Sequence, residues 1–316
     1  MKGGNQLLKE ARAFCPAGIS SFFEICDRTS KGRMIDDLER VGARGGGFSP
    51  DKGVTTEIVL SEAKEKNVQV FINGKSCPEA YTTKSVIETL LDHVSEIYNV
   101  VVRHQVDIPI GAGFGSSAAG ALGTALALSK ALDLNFTYNQ LGKIAHVSEI
   151  KSRTGLGTVG PLLFGGCGLT IEPGAPGYAI LDRIPVSPDH RLVIGTFRPY
   201  PTRELLSSQQ KREIINLNGR KTLKRILDNP SLENFFVECK KFALETGFAT
   251  ERIQKLMELS EKAGAIGVAQ NMLGEAVHAL TTADTLKTVH EAFKKMLPDE
   301  KIIIANIDFQ GARLIE

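Results

Sequence analysis

Apolar and β-branched residues occur in short runs between turn residues through the first third of the chain. Runs of this kind are typical of strands, and they occupy residues 11–15, 54–60, 68–72 and 100–108. Asn73-Gly74, directly after the third run, is a strong signal for a tight turn. Between the last two runs, apolar residues recur at helical spacing over 85–99, so a helix is predicted there.

The middle of the chain holds two glycine-rich segments, each next to a predicted helix. The first, 109–115, directly follows a predicted strand and precedes an alanine-rich segment over 116–132. A helix that is apolar on all sides, as this one would be, is typically buried. Another helix is predicted over 135–151 with Thr137 as its N-cap, and the second glycine-rich segment, 155–168, follows it.

The second half of the chain is mostly helical in pattern. Apolar residues at helical spacing predict helices over 205–227, 232–245, 250–262, 270–279 and 284–296, with strands over 191–197 and 301–308. The proline-bounded segment 185–188 separates this half from the first. The pattern therefore predicts an α+β fold with an N-terminal domain over 1–187 and a C-terminal domain over 188–316.

Composition narrows the classes of partner. Lys and Arg total 38 against 36 for Asp and Glu, and this net charge of +2 argues against nucleic acid or an anionic membrane as partner. The five cysteines are scattered without a Cys-x-x-Cys pair, so neither a zinc site nor a disulfide framework is expected. The sequence suggests neither a signal peptide nor a transmembrane run, and we expect a cytoplasmic protein.

The first glycine-rich segment has the features of a phosphate-binding turn. Gly111, Gly113 and Gly115 alternate between a predicted strand and a predicted helix, where glycine lets the backbone adopt positive φ and approach a ligand closely. Ser116 and Ser117 would begin the helix, whose first N–H groups lack partners within the helix and attract anions. Their hydroxyls are suited to a phosphate oxygen or to Mg²⁺.

Other interpretations of the glycine-rich segments have less support. A structural corner between a strand and a helix needs neither three alternating glycines nor two serines at the helix start. The sequence lacks G-x-x-x-x-G-K-[ST], the signature of P-loop nucleotide hydrolases. Residues 155–160 match G-x-G-x-x-G, but they follow a predicted helix rather than a strand, which argues against a dinucleotide-binding site.

The segment 109–119, Pro-Ile-Gly-Ala-Gly-Phe-Gly-Ser-Ser-Ala-Ala, resembles the P-x-G-x-G-[LF]-G-S-S-A-A signature of the GHMP kinases. This superfamily includes galactokinase, homoserine kinase and mevalonate kinase. The resemblance implies a two-part α+β fold with the active site in a cleft between the halves, and an ATP-dependent kinase that uses Mg²⁺. It implies nucleotide contacts from Pro109, Gly111, Gly113, Gly115, Ser116, Ser117 and Ala118.

Within the GHMP kinases, other segments resemble the archaeal pantoate kinases, namely residues 17–27, 42–48, 145–149, 153–157 and 307–314. This resemblance covers most of the chain. It implies ATP-dependent phosphorylation of the hydroxyl of pantoate to 4-phosphopantoate, in coenzyme A biosynthesis. The implied partners are ATP and a small hydroxy acid, and proteins of this class often form homodimers.

The chain departs from the family pattern at several positions. Thr158 stands where many members carry an Asp that is thought to act as base toward the substrate hydroxyl. A basic residue is missing near Thr170, and Ala43 replaces an expected serine. The third motif of the superfamily is reduced to 263–267 and 272–275. Two alternatives therefore stay open: a diverged kinase for another small hydroxy acid or polyol, and a non-catalytic nucleotide-binding homologue.

The resemblance also assigns roles to side chains outside the turn. The candidate catalytic positions are Glu149, Ser117 and Thr158, and the first two are also the candidate Mg²⁺ ligands. The candidate substrate ligands are His146, one helical turn before Glu149, together with Arg44 and Ser20. Arg44 is flanked by glycines and is suited to hold a carboxylate through two hydrogen bonds.

Overall fold

The computed structural model describes residues 8–198 and 208–316. Its strands are β1 (Lys9–Pro16), β2 (Ile19–Cys26), β3 (Gly42–Phe48), β4 (Gly53–Glu62), β5 (Asn67–Ile72), β6 (Lys75–Ser76), β7 (Tyr98–Val106), β8 (Cys167–Glu172), β9 (Ile180–Ile184), β10 (Arg191–Arg198), β11 (Gly267–Gln270), β12 (Glu275–Thr281), β13 (Ile302–Asn306) and β14 (Arg313–Ile315). Its helices are α1 (Tyr81–Leu91), α2 (Ser116–Ala131), α3 (Tyr138–Ser152), α4 (Val159–Leu162), α5 (Gln209–Asp228), α6 (Leu232–Glu245), α7 (Glu251–Lys262) and α8 (Ala283–Lys294).

The first sheet has the strand order β14-β1-β4-β7-β5-β6. Its strands are antiparallel to their neighbours except β5 and β7, which run parallel and are connected through α1. Helix α2 lies between this sheet and the pair α1 and α3. Thirteen of its 16 residues are buried, which confirms the interior position predicted from its apolar sequence.

Two further sheets of four strands complete the fold, with the orders β2-β3-β8-β9 and β11-β12-β10-β13. Helices α7 and α8 pack on the third sheet, and α5 and α6 pack between the second and third. One hydrophobic cluster combines Phe22 and Phe48 of the first half with Phe235 and Phe242 of the second. The two halves therefore share a core, and the domain division between residues 187 and 188 stays a prediction.

Helix α5 closes the edge of the second sheet at β2. The Asn216 side chain accepts a hydrogen bond from the Ile25 N–H (2.8 Å) and donates one to the Ile25 carbonyl (3.1 Å), as a neighbouring strand would. Gly219 lies so close to the Phe23 carbonyl that a Cβ atom there would overlap it. The free edge of β2 is therefore satisfied by the helix, which protects the sheet from pairing with other chains.

The α+β class is confirmed, and most predicted elements lie close to their expected positions. Thr137 caps α3 through a reciprocal capping box with Gln140, as the sequence indicated. The helix predicted over 85–99 begins earlier and ends at Leu91. The first residues of the helix predicted over 205–227 lie outside the described residues, and α5 begins at Gln209.

The helix predicted over 270–279 is wrong. Residues 275–281 instead form β12, in which every residue is buried between β10 and β11. A short apolar run has no polar face to reveal its period, so sequence alone does not separate a buried strand from a buried helix. Across residues 8–198 and 208–316, none of the helices combines the length and apolar character that crossing a bilayer requires.

Candidate active site

The glycine-rich segment forms a tight turn between β7 and α2. Gly111, Gly113 and Gly115 have φ angles of 77°, 81° and 62°. These values lie in the left-handed region that a side chain disfavours, so the alternating glycines meet a backbone requirement, as predicted. The turn is open at Gly111 and partly buried at Pro109, Gly113 and Gly115, so its backbone is accessible to a ligand.

Helix α2 begins without a side-chain cap. Its N-cap residue, Gly115, has left-handed backbone geometry and no hydroxyl or carboxylate to satisfy the first N–H groups of Ser116, Ser117 and Ala118. The helix dipole adds partial positive charge at the same place. At the position expected from the sequence, the structure therefore has a helix terminus with the features that suit an anion, and anion binding there stays a prediction.

Two other segments brace the turn from outside. The Gly18 N–H donates a hydrogen bond to the Phe114 carbonyl (3.0 Å). On another side, a Cβ atom at Gly113 would lie 3.2 Å from the Met272 carbonyl oxygen and 3.3 Å from the Gly274 nitrogen. The shortened third motif at 272–275 thus packs directly against the turn, although its sequence is reduced.

Ser117 and Glu149 meet at the start of α2. The Glu149 carboxylate is 3% exposed and accepts hydrogen bonds from the Ser117 and Thr154 hydroxyls, the latter at 2.7 Å. Thr82, at the start of α1, joins the group with its hydroxyl 3.0 Å from that of Thr154 and 3.5 Å from that of Ser117. Gly155 follows, and a Cβ atom there would overlap the carboxylate.

The surroundings of Glu149 act on its carboxyl group in two opposite directions. Burial raises the pKa of its carboxyl group, and the hydrogen bonds from Ser117 and Thr154 act in the opposite direction. A carboxylate kept in such a place is available to a metal ion or another cation. The sequence indicated Glu149 and Ser117, whereas Thr82 gave no signal because only the tertiary fold brings α1 to this site.

The donor set suits a magnesium ion that is shared with a substrate. Mg²⁺ is commonly held by one or two protein oxygens together with substrate phosphates and water. Ser117 and Glu149 offer one hydroxyl and one carboxylate beside the anion-binding terminus of α2. Within the described parts of the chain, no group of three or more His, Cys, Asp and Glu side chains is arranged to hold a metal by itself.

Thr158 lies between the turn and the start of β2. Its Cγ2 methyl is 2.7 Å from the positions that Cβ atoms at Gly18 and Gly115 would occupy. These two glycines thus make room for the Thr158 side chain. Its neutral hydroxyl cannot serve as a general base near neutral pH, because an alcohol does not ionise there.

Ser20 is connected to the glycine-rich turn by the loop of the third motif, which contacts both. It is partly buried on β2, and its carbonyl accepts a hydrogen bond from the Met272 N–H (2.7 Å). The segment 272–275 therefore touches both the phosphate turn and the strand that carries Ser20. Contact between Ser20 and a substrate stays a prediction.

His146 anchors the segment before β3. Its ring is 1% exposed, and Nε2 donates a hydrogen bond to the Val41 carbonyl (2.8 Å). Burial lowers the pKa of this imidazole, so it stays neutral near pH 7 and keeps the geometry of that bond. The structure accounts for His146 through this contact, and its predicted role as a substrate ligand remains untested.

Arg44 is engaged with carboxylates of the protein itself. Its guanidinium contacts Glu24 at 3.3 Å and Glu172 at 2.8 Å. Successive side chains of a strand point to opposite faces, and the neighbouring Ala43 packs against Gly157. Arg44 therefore points away from the second glycine-rich segment, and its predicted role as a clamp for a substrate carboxylate stays a prediction.

The end of the second glycine-rich segment serves packing. Gly165 and Gly166 have φ angles of 67° and 81°, and the Gly166 N–H donates to the Asp308 carbonyl at 2.7 Å. The Asp308 carboxylate in turn accepts from the Gly311 N–H (2.7 Å) and pairs with Arg313 (2.8 Å). The C-terminal segment 307–314 is thus a structural turn that supports β8 and β14.

A pocket of about 210 Å³ opens beside Ser116 and Ser117. Its apolar lining comes from the ends of β5 and β7, the segment before α1 and the turn, and it includes Ile72, Cys77, Tyr81, Val106 and Ile110. His104 forms its floor and is bonded to Thr56 (2.9 Å) and Thr83 (3.1 Å). Burial lowers the pKa of His104 to about 4, so this floor is uncharged near neutral pH.

Comparison with known proteins identifies relatives over most of the chain. The sequence model of the family described as GHMP kinases N terminal domain matches residues 81–166. A pantoate kinase from Thermococcus kodakarensis is 31% identical, with 91% of this chain and 92% of that protein covered. A pantoate kinase from Methanocaldococcus jannaschii is 30% identical, with 87% and 94% covered. A solved structure described as a phosphotransferase related to the CoA biosynthesis pathway superposes with a TM-score of 0.85 at 29% identity, covering 97% of this chain and 98% of that one.

Proposed function

This chain belongs to the pantoate kinase family within the GHMP kinases, and from that membership we propose that it transfers the γ-phosphoryl group of ATP to the hydroxyl of pantoate. The product is 4-phosphopantoate, an intermediate on the route to coenzyme A. The observation that carries the proposal is the meeting of Ser117 and Glu149 beside the uncapped start of α2. A phosphate-binding terminus with an adjacent hydroxyl and carboxylate is what phosphoryl transfer with a divalent cation requires.

We assign the phosphates of ATP to the turn. The first N–H groups of α2 have no side-chain cap, and the helix dipole favours negative charge there. Gly113 and Gly115, with their positive φ angles, let the backbone approach a phosphate closely. The side chains of Ser116 and Ser117 add hydroxyl donors. The small residues behind them, beginning with Ala118, let the helix start lie close to the sheet.

Ser117 and Glu149 are the residues that would hold Mg²⁺. The Glu149 carboxylate is pre-oriented by Thr154 and Gly155, and its burial leaves a cation as its favoured partner. When bound, the ion neutralises phosphate charge and so favours transfer. The protein's own part is to keep one carboxylate oxygen and one hydroxyl together, away from competing water.

We place the nucleobase in the pocket beside Ser116. An aromatic base needs an apolar slot near the phosphates, and this pocket has apolar walls next to the helix start. Tyr81 and Ile110, which line the pocket, are 66% and 54% exposed. Bound nucleotide would cover both.

In this proposal the acceptor hydroxyl attacks the γ-phosphoryl group of ATP, and no carboxylate side chain is assigned as its base. Thr158 occupies the position at which related kinases carry Asp, and it lies against Gly115 of the turn. Phosphoryl transfer has a loose transition state, so positioning and charge neutralisation supply most of the catalysis and the hydroxyl proton leaves late. Thr158 and Ser20 are the candidate hydroxyl contacts for the acceptor.

We further propose that the protein is a cytoplasmic enzyme and that it forms a homodimer. ATP is abundant in that compartment, and all five cysteines are free thiols, as a reducing environment maintains. The oligomeric state is measured by light scattering after size-exclusion chromatography, where a mass near twice 34.2 kDa is expected for a dimer.

The decisive test is ADP release from Mg-ATP with D-pantoate, alongside homoserine, mevalonate and other small hydroxy acids. Turnover with pantoate alone supports the proposal. Turnover with another compound instead identifies a diverged kinase, and ATP binding without any turnover identifies a non-catalytic homologue. Ser117→Ala should abolish the activity, whereas the matched variant Ser85→Ala on α1 should retain it, since Ser85 is not among the residues that line the pocket beside Ser117.

A further inference from the structure

A chain of buried polar side chains connects β2, β12 and the loop that follows β11. The Ser21 hydroxyl lies 3.0 Å from His278 Nε2, and His278 Nδ1 lies 2.7 Å from Asn271 Oδ1. All three residues are 0% exposed. Ser21 also contacts the thiol of Cys239 on α6, so four separate elements meet in one network.

The direction of the hydrogen bonds follows from the chemistry of the groups. An amide oxygen only accepts, so Nδ1 of His278 carries the proton that is donated to Asn271. Nε2 then has a lone pair, and the Ser21 hydroxyl donates to it. Burial lowers the pKa of His278 to about 3, so the ring remains neutral and this single tautomer persists at neutral pH.

The order Ser–His–Asn resembles a nucleophile-activating triad, but its location excludes that role. A nucleophile must reach the substrate, and Ser21 is completely enclosed by the shared hydrophobic core. Phe48 and Phe236 pack beside the His278 ring, with centroids 5.9 Å away in each case. The network therefore acts on the protein's own conformation.

Its far end is the loop that touches the phosphate turn. The Asn271 carbonyl accepts a hydrogen bond from the Gly274 N–H (2.7 Å), and this bond closes the loop 271–274. The Met272 N–H bonds to Ser20, next to Ser21 in β2. The same loop meets Gly113 through the Met272 carbonyl and the Gly274 nitrogen. Asn271 thus belongs at once to the buried network and to the brace on the turn.

We propose that His278 is a positioning residue for the nucleotide: by orienting Asn271 and Ser21 it holds the loop 271–274 against the phosphate turn and so sets the affinity for ATP. This inference rests on the proposed binding of ATP at the turn. Buried polar networks that are fully connected specify one arrangement, and breaking one member frees the others to rearrange. Nδ2 of Asn271 has no hydrogen-bond partner among the described residues, so His278 is the principal side-chain restraint on it.

The experiment compares variants that preserve packing but differ in hydrogen bonding. His278→Phe keeps a ring between Phe48 and Phe236 and removes both hydrogen bonds, whereas His278→Gln keeps a polar partner for Ser21. Val289→Ala is the matched control, because it weakens a different buried cluster, against β10 and β12, without touching the loop. KM values for ATP and pantoate, the Kd of ATP and the melting temperature are measured for each protein well below its melting temperature.

For His278→Phe we expect the Kd and KM of ATP to rise about tenfold, because a loop that is no longer held in one arrangement leaves the turn less pre-organised for its ligand. The KM of pantoate should change less than the KM of ATP, since the loop reaches the strand that carries Ser20 only through the Ser20 backbone carbonyl. His278→Gln should recover part of the affinity, and Val289→Ala should lose melting temperature without losing affinity.

Unchanged ATP affinity in His278→Phe, with only a lowered melting temperature, would overturn the inference. If that variant does not fold, Ser21→Ala removes only the Ser21 end of the network, its contacts with His278 and Cys239, and it must still weaken ATP binding severalfold for the inference to stand. Failure of the unmodified protein to bind ATP at all would instead refute the proposed function, so the two failures are distinguishable.

Discussion

Gly274→Ala tests whether the shortened third motif governs the phosphate turn. A Cβ atom at Gly274 would lie 2.3 Å from the Ala112 carbonyl oxygen, whereas ordinary contacts begin near 3.4 Å. The obstructing atom is backbone, which has no alternative rotamer. The loop 271–274 and the turn must therefore separate by about 1 Å, the difference between those two distances.

The expected cost follows from that displacement. Forcing one methyl group into a packed interior destabilises a protein by about 1–3 kcal/mol, and part of this is relieved when the loop moves. The same movement removes the brace from Gly113, whose backbone lies against Met272 and Gly274. We expect the KM of ATP to rise by about tenfold or more, with a smaller change in the KM of pantoate.

The assay is initial-rate ADP release at saturating pantoate over a range of ATP concentrations. Gly168→Ala on β8 is the matched control, because a Cβ atom there meets only Pro161 at an ordinary 3.4 Å. Gly168 has no positive φ, so alanine adds no backbone strain there. Equal ATP dependence of Gly274→Ala and Gly168→Ala would refute the role of the third motif as a brace.

Three further predictions address the carboxylate, the pocket and the buried histidines. Glu149→Gln should lower kcat/KM by about 100-fold and raise the Mg²⁺ concentration needed for activity, because a neutral amide is a weak ligand for Mg²⁺; normal activity at low Mg²⁺ would contradict this. In a Cys26→Ser background, ATP should protect Cys77 from alkylation by N-ethylmaleimide, as followed by mass spectrometry; equal labelling with and without ATP would move the nucleobase elsewhere. His278 and His104 have pKa values lowered from 6.5 to about 3 and about 4, so only the unfolded chain binds these protons between pH 6.5 and those values. The free energy of unfolding should therefore fall by about 2 kcal/mol per histidine from about pH 7 to pH 5. In urea titrations of His278→Phe this decrease should be about 2 kcal/mol smaller, because one of the two histidines is absent.

The phosphate turn shows how much local sequence can specify. Three glycines at alternate positions allow positive φ at each, and the structure has it at Gly111, Gly113 and Gly115. The cap of α3 by Thr137 was equally predictable, since a capping box depends on residues three apart in the chain. Such features are settled by neighbours along the backbone, so they can be recognised without a fold.

For other candidate residues, the residue type was known from the sequence, but the contacts of the side chain were not. Arg44 has the chemistry to hold a substrate carboxylate, yet the fold supplies Glu24 and Glu172 as its partners. His146 has a ring suited to a ligand, yet it lies under the segment before β3 and bonds to Val41. The partner of a polar side chain is often a residue far away in the sequence. The sequence alone does not show which distant residues the fold brings together.

The sequence by itself determined the α+β class, the glycine-rich turn and the buried alanine-rich helix behind it, because each depends on local backbone geometry and periodicity. Only the tertiary structure decided that Thr82 joins Ser117 and Glu149 and that β12 is a strand. It also decided that His278 lies behind the loop that braces the turn. The physical reason is that buried hydrogen bonds and close packing depend on contacts between distant segments, whose free energy appears only when the core excludes water.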